Sequence, residues 1–213
     1  MRFDKVEWLF FDMGSTLVDE RAAYKEWFAR AAALTAGVLS ADDIEREYCA
    51  GMARYAATVR GQLQTVGVDD STVHLFPPEL ETPYPEAAGV LARLATRYRL
   101  GVIANQGPGA AERLHAYGLD DHLEVVVCSA DVGVRKPDPR IFELALSRAG
   151  CAPGQAAMIG DRPDNDICPA KRLGMATVRV RRGYAVYQVP RSEEYEADAT
   201  VDRLADVPGL FGV

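Results

Sequence analysis

The sequence predicts a parallel α/β sheet sandwiched by helices, with an all-helical segment inserted after the first strand. Three observations predict it. Short apolar runs recur along the chain, helical patterns separate the later ones, and about seventy residues without a convincing strand follow the first.

The runs are Val6 to Phe11, Leu100 to Ala104, Val125 to Cys128, Ala157 to Ile159 and Thr177 to Val180. Each is near-continuously apolar, as strands covered on both faces are. After the first run, Arg21 to Leu34 is Ala-rich and helical. Ser40-Ala41-Asp42-Asp43 reads as a helix start, a capping serine followed by acids at the positive end of the helix dipole. That helix is expected to run from Asp43 to Arg60, and Gly61, Gly67 and Pro77-Pro78 punctuate the remainder. A strand-to-helix connection needs only a few residues, so residues 17–83 are expected to form an inserted helical cap. The core is then 1–16 and 84–213, with hinges at Leu17 to Asp19 and Glu81 to Pro85.

Four helices are expected within the core. Glu86 to Tyr98 places Ala87, Val90, Leu91 and Leu94 on one face. Ala110 to Tyr117, Pro139 to Ala149 and Asp164 to Leu173 follow. Strands alternating with helices of this length make the core a Rossmann-like, doubly wound sheet. Such sheets bind ligands at the carboxyl ends of their strands.

The 213 residues carry 24 basic and 31 acidic side chains, a formal charge of -7. That balance disfavours a nucleic-acid or anionic-membrane surface. No apolar run approaches a membrane span, and Trp8-Leu9-Phe10-Phe11 is too short for a secretory signal. Cys49, Cys128, Cys151 and Cys168 show no CxxC spacing and read as free thiols, which points to a reducing, cytoplasmic setting. His74, His115 and His122 are too scattered for a metal site.

Four pieces carry chemistry. Asp12 closes the first apolar run, where a carboxylate could act as a nucleophile or merely cap a turn. Gly160-Asp161 and Asp166, with Asp164 between them, follow another run; carboxylates so close repel unless a cation such as magnesium sits among them. Lys136, in Arg135-Lys136-Pro137-Asp138-Pro139, precedes a helix on the same rim and could neutralise a transferring phosphoryl group. Asn105-Gln106-Gly107-Pro108-Gly109 ends the second run in a turn whose N–H groups could cradle phosphate oxygens, or serve as an ordinary βα turn.

In this order and at these strand ends, the pieces resemble the haloacid dehalogenase-like hydrolase superfamily, in its helical-cap subgroup, over essentially the whole chain. The most specific stretches are Lys136-Pro137-Asp138-Pro139 to Phe142, Ile159-Gly160-Asp161 to Asp166, and Ala170-Lys171 with Leu173-Gly174-Met175. Gly183-Tyr184 and Asp198-Ala199-Thr200-Val201 resemble the family's usual ending. The resemblance implies that Asp12 is the nucleophile and a Mg²⁺ ligand, with the backbone carbonyl of Gly14 and the Asp161 carboxylate as further ligands. Asp166 would support the metal directly or through water, and Lys136 would stabilise the nucleophile and phosphoryl oxygens. Ser15, Thr16, Asn105 and Gln106 would line the phosphate site.

Two positions depart from that pattern. The family's phosphatases usually carry a second aspartate two residues after the nucleophile, as general acid and then base; here it is Gly14. The second motif usually ends its strand in Ser or Thr; here that residue is Ala104. Losing general acid–base help lowers the rate by roughly 10²–10⁴-fold. The expectation is a Mg²⁺-dependent phosphatase on a small phosphorylated metabolite, acting as a monomer or homodimer, with weakened activity. Its rivals are a binding or regulatory protein that lost catalysis and, less favoured, a metal-independent 2-haloacid dehalogenase. From the cap, Arg21, Tyr24, Trp27 and Arg54 are candidates to meet substrate, although Tyr24 and Trp27, three apart, suit a cap core better. Tyr184 and Tyr187 are expected in a solvated loop.

Overall fold

Trp8, Leu9, Phe10 and Phe11 form β1 (Trp8–Phe11), and none is more than 2 % exposed. Successive side chains of a strand point to opposite faces, so a strand this apolar needs cover on both. Leu9 and Phe11 enter one hydrophobic core, with Val90, Leu91 and Leu94. Trp8 and Phe10 enter the other, with Ile141, Phe142 and Ala145.

The computed structural model describes residues 3–56, 59–68 and 76–213. After β1 come β2 (Val18–Asp19), α1 (Arg21–Ala33), α2 (Ala41–Ala53), α3 (Val59–Thr65), β3 (Thr82–Pro83) and α4 (Ala87–Ala95). Then β4 (Arg99–Ala104), α5 (Ala110–Ala116), β5 (Leu123–Cys128), α6 (Ser129–Val132) and α7 (Pro139–Ala149) follow. β6 (Ala156–Gly160), α8 (Cys168–Leu173), β7 (Ala176–Val180), β8 (Ala199–Val201) and α9 (Val207–Leu210) complete the order. The main sheet has six strands in the order β5-β4-β1-β6-β7-β8, all parallel. This is the Rossmann order, and strand order reverses at β1, which lies between β4 and β6.

Gly101 shows how closely the sheet is filled. A β-carbon there would lie 2.7 Å from the Phe10 ring and 2.8 Å from the Val125 carbonyl oxygen. The Phe10 ring in turn stacks on Trp8, with centroids 5.5 Å apart.

The chain divides into two units. One comprises Met1–Val18, Pro83–Arg182 and Pro190–Val213 and holds the sheet. The other comprises Asp19–Thr82 and Gly183–Val189 and is mostly helical. Residues 183–189, expected with the sheet, therefore group with the helices. The physical reason is aromatic: the Tyr184 ring lies 4.9 Å from Tyr24 and 5.4 Å from Tyr48, and its hydroxyl donates to Glu45 at 2.6 Å. Tyr184 is thus half-buried rather than solvated, whereas Tyr187 is exposed.

Other differences are local. The expected helix from Asp43 to Arg60 is two, α2 and α3, and the junction at 57–58 lies outside the described residues, as does His74. The start of α2 is as expected, a capping box in which Ser40 Oγ accepts from Asp43 N and Asp43 accepts from Ser40 N. The expected helix Asp164 to Leu173 begins as a π-helical turn over Pro163–Ile167 before α8. β8 lies outside the five apolar runs; it is short and only half-buried, which weakens its apolar signal. All four cysteines are free. Among the described residues no helix is long and apolar enough to cross a membrane.

Candidate active site

Parallel pairing brings the ends of β1 and β6 level, with Phe11 opposite Ile159. Asp12 continues that ladder, its N–H donating to the Ile159 carbonyl at 2.8 Å. Asp161 follows β6 directly, and the π-helical turn returns Asp166 to the same place. Oxygens of Asp12, Asp161 and Asp166 lie within 4.8 Å of one another, and all three residues are buried.

Lys136 joins them from the loop before α7. Its Nζ donates to Asp12 Oδ1 and to Asp166 Oδ1, each at 2.6 Å, and the residue is 2 % exposed. The second oxygen of Asp166 accepts the Arg162 main-chain N–H at 2.9 Å. Asp166 is thus held from both sides. Burial pushes the Asp12 carboxyl up to about 6; Lys136 opposes that rise and Asp166 adds to it. For Lys136 burial pulls downward, but the two carboxylates outweigh it and hold the ammonium above its ordinary range.

The loop after β1 is tied to itself. Leu17 N and Val18 N both donate to the Met13 carbonyl at 2.9 Å, and Ser15 N donates to Val18 O at 2.7 Å. Ser15, rather than Gly14, takes the left-handed backbone, with φ +55°. The Thr16 hydroxyl is buried without a hydrogen-bond partner.

The turn after β4 is differently engaged. The Asn105 carboxamide pairs with the main chain of Lys136, and Gln106 Oε1 accepts from Arg113 at 2.8 Å. Both residues border a cavity of about 520 Å³ with Ser129, Gly133 and Arg135. Ala104, the last residue of β4, is buried, and its methyl side chain has no hydroxyl to donate.

Two contributors were not singled out from sequence. Arg179, 5 % exposed in β7, donates from Nε to the Asp161 main-chain carbonyl at 3.2 Å. A lone arginine inside the apolar run Thr177-Val178-Arg179-Val180 was the available signal, since buried charge requires a partner. The Arg162 N–H carries no sequence signal, because every residue except proline has one. The helical unit holds the other candidates. Tyr24 and Trp27 lie in an aromatic cluster with Phe28, Tyr48, Phe76 and Tyr184, while Arg21 pairs with Asp19 and Arg54 with Glu47.

Residues 6–174 match the family described as haloacid dehalogenase-like hydrolase. The chain belongs to that family. Its sequence is 38% identical over 126 residues to a glyceraldehyde 3-phosphate phosphatase of Methanopyrus kandleri, covering 57% of this chain and 53% of that one. It is 39% identical over 126 residues to a phosphoserine phosphatase of Thermus thermophilus, covering 58% and 49%. The matched stretch thus spans about half the length of these relatives. In fold, the chain resembles YfnB of Bacillus subtilis, whose structure holds magnesium, with a TM-score of 0.75 at 18% identity over 99% of this chain and 100% of that one.

Proposed function

We propose that this chain is a Mg²⁺-dependent phosphatase that hydrolyses a small phosphorylated metabolite through a phosphoryl group carried on Asp12. The observation that carries the reading is Lys136, one ammonium bridging Asp12 and Asp166 with Asp161 completing the cluster. The names of the two curated relatives support the substrate class.

The donor set fits a hard divalent cation. Three buried carboxylates converge, the Lys136 ammonium offsets one, and oxygen is the ligand type magnesium prefers. Asp12, Asp161, the Gly14 carbonyl and, directly or through water, Asp166 would hold it. When bound, it supplies neutralisation of phosphoryl oxygens and orientation of the ester.

An oxygen of Asp12 attacks phosphorus, a new O–P bond forms and the bond to the leaving oxygen breaks. Lys136 keeps Asp12 aligned and offsets charge on the phosphoryl oxygens. Residue 14 has no side chain to protonate the leaving oxygen, so that proton comes from solvent or is not needed. Water then attacks phosphorus, the Asp12 O–P bond breaks, and phosphate leaves with the carboxylate restored. Without the acid, the rate on alkyl esters falls by roughly 10²–10⁴-fold. A hydroxyl missing at Ala104 removes a charge-assisted hydrogen bond worth about 1.5–3 kcal/mol. Acyl phosphates, with good leaving groups, escape most of the first loss. On this reading the helical unit is the cap that selects substrate.

Intact-mass spectrometry after incubation with Mg²⁺ and acetyl phosphate tests this, with Asp12→Asn as control. A Mg²⁺-dependent adduct of one phosphoryl group that turns over is the expected result. No adduct, with magnesium binding measured separately, would favour the second reading, a phosphate-binding protein that has lost catalysis; Gly14 and Ala104 are what support it.

A further inference from the structure

Lys136 belongs to no helix or strand, lying in the loop between α6 and α7. Its ammonium nevertheless reaches two buried carboxylates at hydrogen-bond distance. Four side-chain torsions separate Nζ from the backbone, so its aim depends on where the main chain is fixed.

Asn105 fixes it. This is the first residue past β4, a central strand of the sheet. Its Oδ1 accepts from the Lys136 N–H at 2.8 Å, and its Nδ2 donates to the Lys136 carbonyl at 2.9 Å. One carboxamide thus satisfies both main-chain groups of a residue 31 positions away, as one rung of a β-ladder would.

We propose that Asn105 is a positioning residue for Lys136, acting on the reaction through that ammonium rather than by contact with the phosphoryl group. This deepens the phosphatase reading and rests on it. Only a carboxamide has a donor and an acceptor side by side. Aspartate would set a carboxylate against the Lys136 carbonyl, and serine or alanine is too short for both bonds. The amide keeps a second N–H, so the test must separate positioning from direct phosphate contact.

A double-mutant cycle does so, read as the single-turnover rate of Asp12 phosphorylation by acetyl phosphate with Mg²⁺. Asn105→Ala is expected to slow the otherwise native protein by about ten- to hundredfold, the scale set by small misplacements of reacting groups. In a Lys136→Met background the same change should slow it less than about threefold, because nothing remains to position. Equal large losses in both backgrounds, or no loss in the native one, would overturn the proposal. Should Asn105→Ala fail to fold by circular dichroism, Asn105→Ser carries the same cycle. If the native protein shows no phosphorylation, the phosphatase reading fails, and a crystal structure of the Asn105 variant decides instead. Nζ displaced from Asp12 supports positioning; Nζ unmoved overturns it.

Discussion

A β-carbon on Gly160 would lie 2.5 Å from the Asp166 carboxyl carbon, closer than any side chain tolerates. The last residue of β6 therefore leaves the space that Asp166 occupies. Gly160→Ala should displace Asp166 and loosen its hold on Lys136. Expected are a loss of about 1–3 kcal/mol in denaturant unfolding and a drop of at least tenfold, roughly, in Mg²⁺ affinity by calorimetry. Unchanged affinity would mean that Asp166 is not needed for the metal.

Asp12 is an acid held above its unfolded value, about 6 against 3.8, chiefly by burial. Its neutral form is the one the fold prefers. That stabilising share is complete below the unfolded value and is lost as pH rises through about 6. Asp12→Asn, which stays neutral, should therefore raise the melting temperature at pH ~7.5 without metal, by roughly 2–4 °C per kcal/mol. The gain should shrink towards pH ~4. Melting curves in chelator at both pH values check it; a destabilised variant at the higher pH would contradict the sign.

Gly14 has no side chain to carry a proton, and Ser15, not Gly14, takes the strained backbone of the loop. Gly14 itself does not take the left-handed backbone, so the main chain at 14 admits a residue with a side chain. Gly14→Asp should raise turnover of an alkyl phosphate monoester by up to roughly 10²–10⁴-fold while changing acetyl phosphate turnover little. A steady-state comparison of the two substrates checks this, and an equal effect on both would refute the account of the missing acid.

Tyr184 ties residues 183–189 into the helical unit through Tyr24, Phe28, Tyr48 and Glu45. Tyr184→Ala should destabilise that unit by about 2–4 kcal/mol, while Tyr184→Phe, which keeps the ring, loses about 1 kcal/mol or less. Trp27, 6.0 Å from Phe28 in the same cluster, reports the change by fluorescence. Equal losses in the two variants would place the stabilisation in the hydroxyl instead of the ring.

The parallel α/β core was legible in the sequence, because strands buried on both faces must be continuously apolar, and Asp12, Lys136, Asp161 and Asp166 stood out as candidates that the fold brings together. Those four were legible because each sits at a fixed offset from a strand or helix whose own pattern is local. Tertiary structure decided the rest. That the Asn105 amide faces the Lys136 backbone depends on where two distant loops meet. Asp166 fits because Gly160 lacks a β-carbon, Arg179 finds a carbonyl beside β6, and Tyr184 packs within the helical unit on rings far from it in the chain. Propensity and periodicity report a residue's neighbours along the chain. These four relationships join residues brought together by packing, and packing is settled only when all the surfaces are buried at once.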